Sequence, residues 1–225
     1  MFWRKYALHD LETSYKISEQ MLQAEKSKVR IAIIDDDYVD NAADNLRSAG
    51  YRDVTPMKNI LRLDDVENFD LVLIDIKGIG ARFLQGTKSA ALEGLAMARE
   101  VKRQYPSKKV IVFSAMMKEY EDNFILRDIV DAYFIKDGDI SERNRKIDQC
   151  IKERIDPVFL WKKNRALLLE EGVSVHAVAK LESRIVKSIL RKQSLPELDI
   201  VKVIGDVSTI AGVIKNISEL VALTL

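Results

Sequence analysis

Three short runs in this chain are apolar from end to end, Val29–Ile34 (broken only by Arg30), Leu71–Ile74 and Val110–Phe113, and stretches patterned like helices separate them. A strand with one wet face alternates apolar and polar residues, so a run that is apolar throughout is a strand covered on both sides. Such strands alternating with helices specify a parallel sheet with helices on both faces, a doubly wound α/β domain. Two weaker extended pieces, Asp53–Met57 and Asp131–Ile135, bring the strands to five. The helical segments between them run over about 39–49, closed by Gly50, about 91–105, stopped by Pro106, and about 119–129. A last one, with Ser141 as its cap, reaches about Ile155.

The 225 residues divide into one domain and two appendages. Residues 1–28 are expected to form an amphipathic helix, residues 29–155 the sheet domain, and residues 156–225 a helical region beginning where Asp156-Pro157 breaks the preceding helix. In that region the pattern predicts helices over Phe159–Glu171 and about 175–192. A final helix follows Ser194-Leu195-Pro196 and runs to the end. With 36 Lys and Arg against 35 Asp and Glu, the net charge of +1 gives no overall field for nucleic acid or membrane surfaces. One cysteine and two histidines are too few for a zinc centre or an intrachain disulfide, and a reducing cytoplasm is the expected setting. No secretory signal is expected at the N-terminus, and the charges at Lys202, Asp206, Lys215 and Glu219 argue against a membrane span in the apolar C-terminus.

In an open parallel sheet the ligand site lies beyond the carboxyl ends of the strands, where the strand order reverses. The residues there are Asp35-Asp36-Asp37 after the first run, Asp75 after the third strand, Ser114 after the fourth and Lys136 after the fifth. Carboxylates converging on one crevice repel unless a hard divalent cation lies among them, and Mg²⁺ takes such oxygen donors. Each residue alone also reads as a capping or solvated group; it is their order, each at a strand end, that points to a phosphoryl site.

This set resembles the receiver domain of two-component response regulators over about residues 29–155. The resemblance implies a flavodoxin-like five-stranded sheet. It implies that Asp35 and Asp36 in IIDDD hold Mg²⁺ together with Asp75 and the backbone carbonyl of Lys77, and that Asp75 in LVLIDIKG accepts a phosphoryl group. Ser114 in VIVFSA takes the hydroxyl position, Lys136 in YFIKDGD that of the invariant lysine, and Tyr133 the aromatic switch position. A sensor histidine kinase or phosphotransfer protein is the implied phosphoryl donor, and the chain would be a phosphorelay signalling protein rather than an enzyme. The sequence departs from the family pattern in three places: Asp137 follows Lys136 where proline is usual, Ile76-Lys77-Gly78 follows Asp75, and about ten extra residues lie within 79–91.

Two other chemistries fit less well. Gly78-Ile79-Gly80 opens like a dinucleotide-binding loop but lacks the third glycine and follows the wrong strand. A haloacid-dehalogenase-type phosphatase also places Asp, Ser and Lys at strand ends, but Asp35-Asp36-Asp37-Tyr38 does not continue as its nucleophile motif does. In the tail, Glu170–Ser174 with Val178 and Leu181 resembles a helix-turn-helix, so a transcriptional regulator with a DNA-binding tail is the alternative output. The favoured expectation is a helical tail that forms a homodimer or binds a protein partner, because the apolar positions from Ile200 to Leu225 make a face too broad for a small DNA reader.

Overall fold

A computed structural model describes residues 6–37, 39–79, 93–115, 129–205, 211–222 and 224. The chain forms two compact units, one from Met1–Ser18 with Lys152–Leu225 and the other from Glu19–Ile151.

The second unit is built on five parallel strands: β1 (Arg30–Ile34), β2 (Asp53–Met57), β3 (Leu71–Asp75), β4 (Lys109–Ser114) and β5 (Ala132–Ile135). Their order is β2-β1-β3-β4-β5, the flavodoxin-like doubly wound order, which reverses between β1 and β3. The apolar runs are explained by what covers them. Alternate side chains of each central strand enter two separate cores: Ala32, Ile34, Val72, Ile74, Val110 and Val112 face one, and Ile31, Ile33, Leu71, Leu73, Ile111 and Phe113 face the other. At about 1.5–3 kcal/mol for each large side chain fully buried, neither face of these strands tolerates a polar residue.

The helices of this unit are α2 (Glu19–Lys26), α3 (Val39–Ser48), α4 (Glu93–Gln104) and α5 (Ile140–Ile155), whose residues from Lys152 onward belong to the other unit, as does α1 (Leu8–Ser14). The N-terminal segment expected as one helix is therefore two. Tyr15 is extended and ends α1, Leu11 of α1 is buried in the helical core, and Leu22 of α2 is buried against the sheet. A single amphipathic stripe cannot serve two cores, so the helix breaks between them. The cap of α5 also differs from expectation: Asp139, not Ser141, holds its start, accepting the Ser141 N–H at 2.8 Å and its hydroxyl at 2.7 Å. The helix expected near 119–129 and the insertion at 79–91 lie almost wholly outside the described residues.

The helical unit packs α1 with α6 (Pro157–Glu170), α7 (Val175–Leu190), α8 (Glu197–Ile204) and α9 (Ala211–Ala222). Asp156 caps α6 by accepting the N–H of Val158 at 2.8 Å, and Pro157 takes the first turn, where its missing N–H is harmless. Ser174 caps α7. The final helix does not run unbroken to the end: Gly205, at φ +85°, closes α8 before α9 begins. Much of its apolar face is consumed inside this unit. Ile200, Ile217, Leu220 and Val221 are buried with Trp161, Leu181 and Ile185, which removes the premise that the whole stripe lies open to a second chain. Among the described residues no helix is long and apolar enough to cross a membrane.

Candidate functional site

The strand order places the ends of β1 and β3 side by side at the reversal point, and the site is assembled there. Asp35 follows β1 with its carboxylate almost fully buried, at 1% exposure. Its Oδ1 accepts the Asp37 N–H at 2.9 Å, a local turn that aims the carboxylate back over the sheet. Asp75 closes β3 at 6% exposure, and its Oδ1 accepts the Lys77 N–H at 3.4 Å. Asp36 is exposed, yet one oxygen from each of Asp35, Asp36 and Asp75 lies within 4.8 Å of the others.

Lys136 supplies the cation. It sits just past β5, and its N–H donates to the Ser114 carbonyl at 3.0 Å, which extends the β4–β5 ladder and fixes where the side chain starts. Its Nζ lies 2.9 Å from Asp35 Oδ2 and 3.1 Å from Asp75 Oδ2. Burial acts to lower the Lys136 pKa, but hydrogen bonds and charge from Asp35 and Asp75 outweigh it and raise it, so the ammonium stays charged. For Asp75, burial raises the pKa and the Asp35 charge adds to it; Lys136 opposes both without cancelling them. The nucleophile candidate is thus a dry carboxylate that wants more positive charge than one lysine provides. That is the chemistry of a hard-cation site, and three carboxylate oxygens at this separation fit Mg²⁺.

Ser114 ends β4, buried at 2% exposure, next to Ile135 in register. Tyr133 on β5 pairs with Val112 of β4 and packs against the core that contains Ile74 and Val112. Lys146 Nζ lies 5.1 Å over its ring and donates to its carbonyl at 2.8 Å.

Two glycines shape the site, and the sequence did not mark either as part of it. Gly78 has φ +76°, and a Cβ there would stand 2.2 Å from Asp36 Oδ2. Gly94, second in α4, brings that helix against β3: a Cβ would lie 1.8 Å from the Asp75 carbonyl oxygen, and its N–H donates to Ile76 O at 2.9 Å. The signals were present only as a glycine three residues after Asp75 and a glycine at a helix start, and both patterns are common in loops and caps.

Neither a family profile nor a curated protein matches this chain. Solved structures do. A CheY-like receiver from Methanospirillum hungatei is 26% identical, with 56% of this chain and 95% of that one covered at a TM-score of 0.44. The NtrX receiver of Brucella abortus is 22% identical, covering 55% and 98% at 0.41, and the response regulator TrrA of Thermotoga maritima, solved with Mg²⁺ and beryllofluoride, is 21% identical, covering 54% and 97% at 0.42. The structures it resembles are response regulator receiver domains.

In the helical unit, which carries the helix-turn-helix resemblance, several basic side chains have internal partners. Lys162 pairs with Glu12 at 2.7 Å, Arg165 with Glu182 at 3.5 Å, Arg184 donates to the Asp199 carbonyl at 3.1 Å, and Arg191 to the Tyr6 hydroxyl at 3.1 Å. These bonds staple helices together and leave less charge for a DNA backbone.

Proposed function

We propose that the chain is a response-regulator-like signalling protein that carries a phosphoryl group on Asp75. The observation that carries this reading is the Lys136 ammonium bridging two buried carboxylates beside a third at the reversal point of the sheet. Asp35, Asp36 and Asp75, with the carbonyl of Lys77, would hold Mg²⁺. Bound there, the ion would neutralise charge on the transferring phosphoryl group. A carboxylate oxygen of Asp75 attacks phosphorus in line, the O–P bond forms as the donor's N–P bond breaks, and the imidazole nitrogen of the donor retains its electron pair and takes a proton from water. Lys136 then pairs with the new phosphoryl oxygens, and the Ser114 hydroxyl donates to one of them.

The chain acts in this reading as an acceptor and carrier, not as an enzyme with a separate substrate, and the donor is a sensor histidine kinase or phosphotransfer protein. The single cysteine, Cys150, is buried and unbridged, which suits the cytoplasm. The helical unit supplies the output, by homodimerisation or by contact with a protein partner. Its exposed apolar residues, Val175 at 72% and Leu198 at 65%, are the contact candidates.

Acetyl phosphate with Mg²⁺ tests the reading. Intact mass spectrometry should show one added phosphoryl group, lost in Asp75→Ala and on chelation of Mg²⁺. A gain that persists in Asp75→Ala, or no gain at all, refutes it.

A further inference from the structure

Asp36 is the odd member of the acidic trio. Asp35 and Asp75 share Lys136, at 2.9 Å and 3.1 Å, whereas the exposed Asp36 carboxylate has no hydrogen bond or ion pair among the described residues. One oxygen of each of the other two acids lies within 4.8 Å of it, so like charge repels it and water would solvate it outside the crevice. Charge alone therefore favours an Asp36 turned away from its neighbours. It stays because there is room for it, and that room has an identifiable source.

Gly78 supplies it. At φ +76° it takes a left-handed conformation that glycine adopts freely. A Cβ built there would lie 2.2 Å from Asp36 Oδ2, 2.6 Å from Cγ and 2.8 Å from Oδ1. All three distances are shorter than Cβ atoms tolerate, so the whole carboxylate occupies the volume that a side chain at position 78 would take. The two parties to that clash are unequal. The turn around Gly78 is anchored on both sides, by the Lys77 N–H on Asp75 Oδ1 at 3.4 Å and by the fully buried Ile79. Asp36 is exposed, and a change of rotamer carries its carboxylate into water. A side chain at 78 is thus accommodated by expelling Asp36, not by remaking the turn.

We propose, on the reading of Asp35, Asp36 and Asp75 as Mg²⁺ ligands, that Gly78 is a positioning residue for the metal: its missing side chain is what admits the Asp36 carboxylate to the crevice. Any Cβ at position 78 leaves the Lys136 bridge between Asp35 and Asp75 in place and turns a site of three carboxylates into one of two. Affinity for a hard cation follows the number of charged oxygen ligands. Removing the support of a metal ligand typically weakens binding about 10–100-fold.

Calorimetric titration of the full chain with Mg²⁺ alone, with no phosphoryl donor present, tests this in a double-mutant cycle. Gly78→Ala should weaken Mg²⁺ about tenfold or more, as Asp36→Ala does. The double variant should bind as Gly78→Ala does, because an expelled Asp36 has nothing left to lose. Strain from a positive φ is present with and without Asp36 and cancels in the cycle. Gly172→Ala, at φ +82° with open space around it, should leave the affinity unchanged. If Gly78→Ala does not fold, Gly78→Asn replaces it, since asparagine tolerates the left-handed region and carries the same Cβ; adding Asp36→Ala to it should again change nothing. Multiplying losses in the double variant, or wild-type affinity in Gly78→Ala beside a weakened Asp36→Ala, overturns the role of Gly78 and leaves the metal site standing. A wild type that binds no Mg²⁺, or binds it equally well after Asp36→Ala, overturns the ligand assignment and the proposal with it.

Discussion

Replacing Lys136 with methionine keeps most of the side-chain volume and removes the cation between Asp35 and Asp75. In the wild type its Nζ stands 2.9 Å and 3.1 Å from oxygens of carboxylates that are themselves 1% and 6% exposed. Without it, two acids remain whose oxygens lie within 4.8 Å. At the effective dielectric suited to such sites this is a repulsion of about 3–4 kcal/mol if both stay ionised. Breaking a buried ion pair by deleting one partner typically costs about 3–5 kcal/mol. The lysine is 21% exposed, so the low end applies, and Lys136→Met should lose about 3 kcal/mol at neutral pH. Asp75 already has a raised pKa, and losing Lys136 raises it further. An acid whose folded pKa lies above its unfolded value is a penalty at high pH. That penalty shrinks as pH falls through the folded pKa and is gone near the unfolded value of about 3.9. The deficit of the variant should therefore narrow on acidification. It should also narrow on adding Mg²⁺, because a divalent cation among the acids replaces the missing charge; at a hundred times its Kd the gain is about 2.7 kcal/mol. Urea denaturation of both proteins at pH 7 and pH 5, with Mg²⁺ and with EDTA, reads all of this. A deficit under about 0.5 kcal/mol, or one indifferent to both pH and Mg²⁺, refutes the electrostatic reasoning.

Gly94→Ala should destabilise by about 3 kcal/mol or more, since its Cβ would meet the Asp75 carbonyl oxygen at 1.8 Å and backbone cannot yield; thermal melts check it, and a loss under about 1 kcal/mol contradicts the close approach. Asp131 accepts from Lys102 at 2.7 Å, Lys109 at 3.2 Å and the Val110 N–H at 2.8 Å, and although burial raises its pKa, the two lysines win and lower it. Its stabilisation is present above the unfolded pKa of about 3.9 and is lost as pH falls through the folded pKa, so Asp131→Asn should flatten the acid limb of the stability curve and cost about 3 kcal/mol at pH 7. Deleting residues from Leu198 onward would remove core side chains such as Ile200 and Ile217, so self-association is better probed at the surface. The double variant Val175→Glu/Leu198→Glu should shift the light-scattering mass from dimer to monomer, and an unchanged mass leaves these residues outside any interface.

The sheet was legible because its central strands are apolar on both faces, a pattern only two-sided burial explains. All five strands lie within one residue of the expected ends. The acids and lysine of the site were legible because strand ends are countable from those runs. What escaped were features decided by tertiary approach. Gly78 and Gly94 matter through how near Asp36 and the Asp75 carbonyl come. The break between α1 and α2 escaped for a related reason: one periodic stripe, Leu11 to Leu22, is divided between two cores. At Gly205 the composition hinted at low helicity, but only the φ of +85° shows the helix ending there.

In the proposed function Asp75, and not a neighbouring acid, takes the phosphoryl group. Borohydride reduction after treatment with acetyl phosphate and Mg²⁺ converts an aspartyl phosphate to homoserine, and tandem mass spectrometry of the peptides locates it. Homoserine is expected at position 75 alone, and absent in Lys136→Met or without Mg²⁺. Homoserine at position 35, 36 or 37, or an unmodified Asp75 under conditions that phosphorylate the chain elsewhere, contradicts it.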